Sequence, residues 1–438
     1  MVGANFNNGS NDGPFYFNCN NSWGNANYNI GLRPFLPHPA QIIERKHISA
    51  PMRSLDESPE IQHQKRLGRF ILEEPELCKE GASMRRVGHI HEKAFDKANI
   101  LAAIDSLSKS KASKGAREYL KKNRESLAED VLANPHFDGR FRRFKRKEGQ
   151  KVRDVFEPSI HDQIIAKAIV RVIIPILRPR EYFHSYAAMA GKGPILARNA
   201  VARYLKRDWA RWFCKIDVVR CFPTFPHRLV LSCYDRIFKD PKVRELIVED
   251  LQAYSRFAGT EDGLALGEVT SQEWCNLAMT FACYRAKQEA KVPGLVEYMD
   301  DFVLVGRSKR ELTKQRDAFR AILASMGFRL HDELDDVKPL EYVDRRGKRR
   351  GEAVDICGYR VYKRLSTLRR SLYKKIRRCI IRMKARKPDE RRAKRFFSFY
   401  GFLLHSASRK VFEIYGITEQ FIERAKAALK GENTCKSC

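Results

Sequence analysis

No run of this chain is apolar for long enough to cross a lipid bilayer, and its first residues lack the basic-then-apolar order of a secretory signal. A cytoplasmic protein with no membrane partner is the expectation. Disulfides are equally missing as an organising device. The eleven cysteines are odd in number, and Cys214, Cys221, Cys275 and Cys283 sit inside apolar runs, as reduced core thiols do. The one C-x-x-C joins Cys435 to Cys438, with no second pair near it to complete a zinc site. Internal repeats are absent as well. Acidic charge is scarce: 53 Asp and Glu face 84 Lys and Arg, a formal charge of +31. A surface so basic calls for a polyanion. Nucleic acid is the default partner, because phosphate neutralisation drives binding, and an anionic membrane surface is the rival. What remains is 438 residues of 43% hydrophobic content, enough for two or three lobes with cores of their own.

Residues 1–34 hold ten Asn within their first thirty positions, a composition that favours turns over packed structure. Residues 35–84 mix Pro, charge and short apolar groups, and read as an arm or linker. From about 85 the texture changes. AFDKANILAAIDSLSK and AREYLKKNRESLAEDVLAN carry apolar residues at helical spacing. FRRFKRKEGQKVRDVFEPS suits a basic, aromatic hairpin, and IHDQIIAKAIVRVIIPILRP a buried helix stopped by proline. WFCKIDVV and LVEYMDDFVLVG are short, β-branched and apolar, as central strands are. With helical patterns around them, the middle of the chain is α+β. The last stretch is basic and helical, with Leu368, Leu372, Ile376, Ile380 and Met383 predicted on one face.

EYMDDFVLVG sets Asp300 beside Asp301 between two strand-like runs. Two carboxylates so close repel each other, and burial costs more still, so something must hold them. A tight hairpin turn would project both from one end of a sheet, and Asp217 ends another buried strand. Three carboxylates at adjacent strand ends form an oxygen cage suited to two Mg²⁺, with Mn²⁺ as a substitute. Gly191-Lys192-Gly193 lacks the Ser or Thr and the earlier Gly of a phosphate loop, and is rejected as one. His89 and His91 have no further ligands in reach.

The arrangement resembles the palm of a reverse transcriptase. Tyr-x-Asp-Asp is that family's third palm motif; KIDVVRCFPTFPH resembles the first, GLALGEVTSQEWCN the second, MGFRLHDELDDVK the next, and ICGYRVY the strand that grips the primer. KVRDVFEPSIHDQIIAKAI and SYAAMAGKG are similar to the fingers segments, and SFYGFLLHS to a thumb motif, over roughly residues 85–415. The resemblance implies an α+β right hand, with fingers and palm over 85–362, an antiparallel, ferredoxin-like palm sheet of three to five strands, and a basic helical thumb and tail over 363–438. It implies that Asp217, Asp300 and the Val218 carbonyl bind the metals, with Asp301 in a lesser electrostatic role. Lys151 and Arg153 would clamp the triphosphate, Phe222 would exclude a 2′-hydroxyl, Leu266 and Gly267 would line the nucleotide pocket, and Lys338 would lie near the pyrophosphate. Gln272, Tyr298, Gly358, Tyr359, Arg369, Arg370, Lys374 and Lys375 would meet template and primer. The implied substrates are deoxynucleoside triphosphates, a template RNA and the cDNA/RNA duplex.

Within the family, the second motif discriminates. Ala265-Leu266-Gly267 followed by Thr270-Ser271-Gln272 resembles the enzymes of diversity-generating retroelements, which misincorporate opposite template adenines. Ala265 departs from the usual Pro. Leu266 stands where other families place Gln, and it offers the nucleotide no hydrogen bond. In such a system residues 1–34 would be a translated template repeat, since Asn codons begin with two adenines; a plain Asn-rich tail is the other reading. A small basic accessory protein is a further implied partner. Retron, group II intron and abortive-infection enzymes are the nearest alternatives, and a non-catalytic RNA-binding protein with a polymerase-like hand is the alternative of another class.

Overall fold

The computed structural model describes residues 86–111, 113–148, 151–331, 336–385 and 389–430. The Asn-rich segment, the 35–84 arm and the terminal Cys435–Cys438 pair lie outside these residues. Four helices open the described chain: α1 (Ile90–Ala94), α2 (Lys97–Ser110), α3 (Lys114–Lys122) and α4 (Arg124–Ala133). The AREYLKKNRESLAEDVLAN pattern thus makes two helices, separated at Asn123. Asp96 and Ser113 cap α2 and α3 by accepting from the N–H groups of Asn99 and Ala116. A basic hairpin follows, β1 (Phe141–Glu148) with β2 (Lys151–Pro158), as its sequence predicts. Next comes α5 (Ile160–Leu177), buried along most of its length; it runs through Pro175 and ends at Leu177, just ahead of Pro179.

The middle of the chain alternates helices and strands: α6 (Pro194–Leu205), β3 (Trp212–Asp217), α7 (His227–Ile237), α8 (Pro241–Ala258), α9 (Val269–Gln288), β4 (Gly294–Tyr298), β5 (Asp301–Gly306), α10 (Lys309–Ser325) and β6 (Lys338–Pro339). The four strands form one sheet in the order β4-β5-β3-β6, with all neighbours antiparallel. Period-two alternation lets this sheet serve two cores at once. Cys214, Ile216, Leu295, Phe302 and Leu304 join the large core shared with α5, α9 and α10. Phe213, Val296, Val303 and Val305 face the other way, into a second core with α6.

That second core also receives β9 (Val354–Ile356) and β10 (Tyr359–Val361), once the short hairpin β7 (Tyr342–Val343) and β8 (Arg349–Arg350) has been passed. β11 (Ser366–Leu368) completes a three-stranded sheet on β10. Leu368 therefore belongs to a strand, not to the helical stripe predicted for it. Its neighbour Arg369 explains the break: the guanidinium grips Asp355 of β9 through two bonds, Nε at 2.8 Å from Oδ2, and the Arg369 N–H donates to the Gly358 carbonyl. The helical C-terminal part begins at α11 (Arg370–Ala385) and continues through α12 (Glu390–Leu404), α13 (Arg409–Ile414) and α14 (Glu419–Lys430). Leu372, Ile376, Ile380 and Met383 are buried on one face of α11, with Phe396, Phe399 and Leu403 of α12 in the same cluster. No described helix is long and apolar enough to cross a membrane. The seven described cysteines are free and buried.

Candidate active site

The two motifs that carry the acids meet in this sheet. β4 and β5 are joined by a two-residue loop, Met299-Asp300, and Tyr298 is paired with Asp301. Met299 takes the left-handed conformation at φ +62°, as the first position of a tight hairpin turn demands. A non-glycine residue held there stores about 1–3 kcal/mol of strain, which the paired strands on either side sustain. In the neighbouring strand Asp217 lies directly opposite Asp301. The N–H of Val218 then donates to the Asp300 carbonyl at 3.3 Å, tying the exit of β3 to the turn. Residues 217, 300 and 301 are thus brought to one end of the sheet, as the sequence predicts.

Their electrostatics follow from this crowding. Burial, then the charge of Asp217, pushes the Asp300 carboxyl up to about 7, and the Arg153 charge on the β1–β2 hairpin acts in the opposite sense. Asp301 is raised by burial, against the attraction of Lys215. Lys215 Nζ donates to Asp301 Oδ2 at 2.9 Å. Burial alone would lower the Lys215 pKa; the Asp301 charge overrides it and holds the ammonium above its ordinary value. One oxygen of Asp301 is therefore matched by a cation of the chain, while its Oδ1 is buried without a hydrogen-bond partner. The sequence reading assigned all of the charge balance to bound metal, and Lys215 went unnoticed. Alternation would have found it: two residues before Asp217, it shares that residue's face and lies diagonal to Asp301.

His331 was missed as well. Its N–H donates to the Asp217 carbonyl at 3.1 Å, and its Nε2 lies 3.9 Å from Asp217 Oδ2. Behind the turn, Glu297 is fully buried on β4, and burial pushes its carboxyl up to about 8. Lys192 is structural. Its ammonium donates to the carbonyls of Phe183 and Ser185, fixing the 183–186 segment whose backbone pairs with Glu297. That use agrees with its rejection as a phosphate-loop lysine.

The other predicted residues are placed unequally. Arg153 sits on β2, close enough for its charge to act on Asp300; Lys151 opens the same strand, and its side chain lies outside what is described. Leu266 and Phe222 are each 7% exposed. The Leu266 carbonyl accepts from the Phe156 N–H of β2, and the Phe222 carbonyl accepts from Leu264, so the second motif is stitched to both the hairpin and the first motif. Gly263 makes this approach possible: at φ +119°, an added Cβ would lie 2.9 Å from the Pro223 carbonyl oxygen. Gly267, at φ +124°, turns the chain into α9.

Three expectations need correcting. Lys338 is not near the acids. It pairs with Phe213, four residues up β3 from Asp217 and about 13 Å away along the strand, and its ammonium meets Glu352 at 3.2 Å. Tyr359 is fully buried, because the alternation along β10 turns it inward against Phe402 and under the Arg198 guanidinium while Arg360 faces out. Gln272, at 3% exposure, is enclosed on α9. Neither side chain is presented to a duplex. Gly358 holds φ +83° and anchors Arg369, whereas Arg370 and Lys374 are exposed on α11 and Lys375 is half-buried.

A second acidic group, Asp138, His161 and Asp162, is formed by the segment ahead of β1 and the start of α5. The buried Asp162 carboxylate already accepts from the N–H groups of Asp138 and Gly139, at 2.7 and 3.0 Å, so it closes a loop at the start of α5. His89 and His91 join no metal-binding group among the described residues.

Similar proteins point the same way as the geometry. The chain is 22% identical over 161 residues to a putative COX1/OXI3 intron 2 protein of Saccharomyces cerevisiae, covering 34% of this chain and 18% of that protein. It is 24% identical over 130 residues to the group II intron-encoded protein LtrA of Lactococcus lactis subsp. cremoris, covering 27% of this chain and 21% of that protein. The chain thus spans about a fifth of the length of these curated relatives. Residues 145–333, the stretch that contains all three acids, match the family described as reverse transcriptase (RNA-dependent DNA polymerase).

Proposed function

We propose that this protein is a reverse transcriptase, synthesising DNA on an RNA template. The observation that carries the reading is the meeting of Asp217, Asp300 and Asp301 at one end of the sheet inside the matched stretch. The three acids are donors that divalent cations take, though their oxygens do not all lie within 4.8 Å of one another: Asp301 Oδ1 is buried without a hydrogen-bond partner, and burial, then the charge of Asp217, pushes the Asp300 carboxyl up to about 7. Bound there, Mg²⁺ would lower the pKa of a 3′-hydroxyl and neutralise the charge that develops on the phosphates. The chain's own residues do the rest. Lys215 opposes the burial that raises the Asp301 carboxyl, the Val218 contact with the Asp300 carbonyl fixes the turn, and Arg153 brings positive charge to the acids, where a triphosphate needs it. Primer extension on a primed RNA with deoxynucleotides and Mg²⁺ tests this; no cDNA from folded protein would overturn it.

Phe222 would stand against the sugar of the incoming nucleotide. Phe222→Ala should then raise ribonucleotide use about 10- to 100-fold relative to deoxynucleotides, measured by competitive incorporation. An unchanged ratio would remove Phe222 from sugar selection.

Within this reading, the diversity-generating type is supported by Leu266 and by the Ser271-Gln272 pair. A buried aliphatic side chain in the nucleotide pocket leaves a mispaired base with no polar group to offend. Leu266→Gln should lower errors opposite template adenine several-fold, read by sequencing the cDNA; the same error spectrum in both proteins would exclude the residue from fidelity. The group II intron type is favoured by the two relatives, and the presence or absence of a near-copy of the 1–34 coding segment in the flanking DNA separates the two.

A further inference from the structure

The sheet that carries the acids at one end carries an unassigned basic surface at the other. β3 runs from Trp212 to Asp217, about 17 Å, so groups rooted at Trp212 lie behind the palm. Two of them meet there. The first is a cleft of about 390 Å³ lined by Lys206, Arg207, Arg211 and Lys363, with Asp208 its one acid. The second is the β7–β8 hairpin, which the sequence reading passed over. The two are joined at the root, where the Leu340 N–H donates to the Arg211 carbonyl at 2.9 Å.

The hairpin is built to hold a shape. Asp344 accepts from the N–H groups of Arg346 and Lys348 at 3.0 and 2.8 Å, and from Arg350 Nε at 3.0 Å. At its base Gly351 (φ +87°) lies so close to Leu340 that a Cβ would fall 2.3 Å from that carbonyl oxygen. The Glu352 N–H then donates to Pro339 of the catalytic sheet. What this frame presents is unusual for a solvated turn. Arg345, Arg346 and Lys348 are exposed and form no ion pair among the described residues, and beside them Tyr342 and Val343 are 50% and 63% exposed. Cations carried on a fixed backbone, with an exposed aromatic ring beside them, match a polyanion that also offers flat, stackable faces. Phosphates would take the cations, and an unpaired base would take Tyr342. An acidic polypeptide would satisfy the charge but leave the ring without a partner.

We propose that the β7–β8 hairpin and the adjoining 206–211 cleft form a second RNA-binding surface, behind the palm, for a looped RNA segment whose unpaired base stacks on Tyr342. The surface is independent of the catalytic reading, since binding is measured without nucleotides. Fluorescence anisotropy of the full chain with a labelled RNA stem-loop, a duplex of equal length and polyglutamate tests it. Arg345→Ser/Arg346→Ser/Lys348→Ser should weaken stem-loop binding about tenfold and reduce the salt slope by about 2, at roughly 0.7 per lost phosphate contact. Lys206→Ser/Arg207→Ser should act in the same direction. Tyr342→Ala should weaken the stem-loop about fivefold or more and spare the duplex. Extension of a preformed primer–template should be unchanged in all three, with an unchanged Tm. An unaltered salt slope, an equal loss against polyglutamate, or a loss of basal extension would each overturn the assignment.

Discussion

Asp300→Asn is expected to lower nucleotide incorporation by about a thousandfold or more, and at the same time to stabilise the metal-free protein. The first effect follows from removing a carboxylate that would hold the charge-neutralising ion, a contribution worth several kcal/mol. The second follows from linkage. Burial, then the charge of Asp217, pushes the Asp300 carboxyl up to about 7 in the fold, from an ordinary carboxylate value of 3.8. The folded state therefore binds the extra proton, and stability falls as pH rises from about 4 to about 7. At pH 8 in a chelator the wild-type protein bears the full cost of a crowded, ionised carboxylate, and the amide does not. Differential scanning fluorimetry should show the variant melting about 2–4 °C higher at pH 8, with the gap closing towards pH 4–5. A variant that melts below the wild type at pH 8 would show that Asp300 is not held against its own charge.

Lys215→Met should have the opposite signature. It leaves Asp301 facing Asp217 with no cation of the chain beside it. Breaking one partner out of a largely buried ion pair costs about 3–5 kcal/mol, and the low end applies here because both side chains keep some exposure. The loss should be greatest in chelator. Added Mg²⁺ should restore more of the melting temperature in this variant than in the wild type, because the ion then takes over the neutralisation. The double variant Lys215→Met/Asp301→Asn should recover much of the stability, and the resulting cycle isolates the pair. Equal melting temperatures for Lys215→Met and wild type would mean that Lys215 does not hold Asp301. Activity is expected to fall in either variant, since the first takes away the hydrogen bond that holds Asp301 and the second removes its carboxylate.

Much of this was legible because it is local. LVEYMDDFVLVG carries its own strand periodicity, and the two-residue loop inside it leaves few registers open for β4 on β5; the meeting of Asp217 with Asp301, far apart in the chain, was within reach only because both motifs resemble those of one family. FRRFKRKEGQKVRDVFEP likewise announced its hairpin. What failed was non-local. Lys338 was placed near the pyrophosphate by the resemblance of MGFRLHDELDDVK to a family motif, but β6 pairs with the far end of β3, and nothing in VKPL states that register. Tyr359 looked available because strand parity cannot be read from three residues; its neighbour Arg360 is the one that faces out. Leu368 completed a helical stripe on paper, yet the Arg369–Asp355 pair and the bonds to β10 draw it into a strand. The β7–β8 hairpin was invisible for a different reason: two-residue strands of Arg, Tyr and Val have no period to detect.

The double duty of β5 has a consequence for how this protein would tolerate change. Phe302 and Leu304 are gripped from one side, Val303 and Val305 from the other, so the strand behind Asp301 cannot yield towards either neighbour without tearing the opposite one. Damage does not stay where it is made. A cavity opened beneath α6, remote from any nucleotide, would tilt the same carboxylate as a cavity opened beneath α10, and drift in sequence on the two sides must proceed in step.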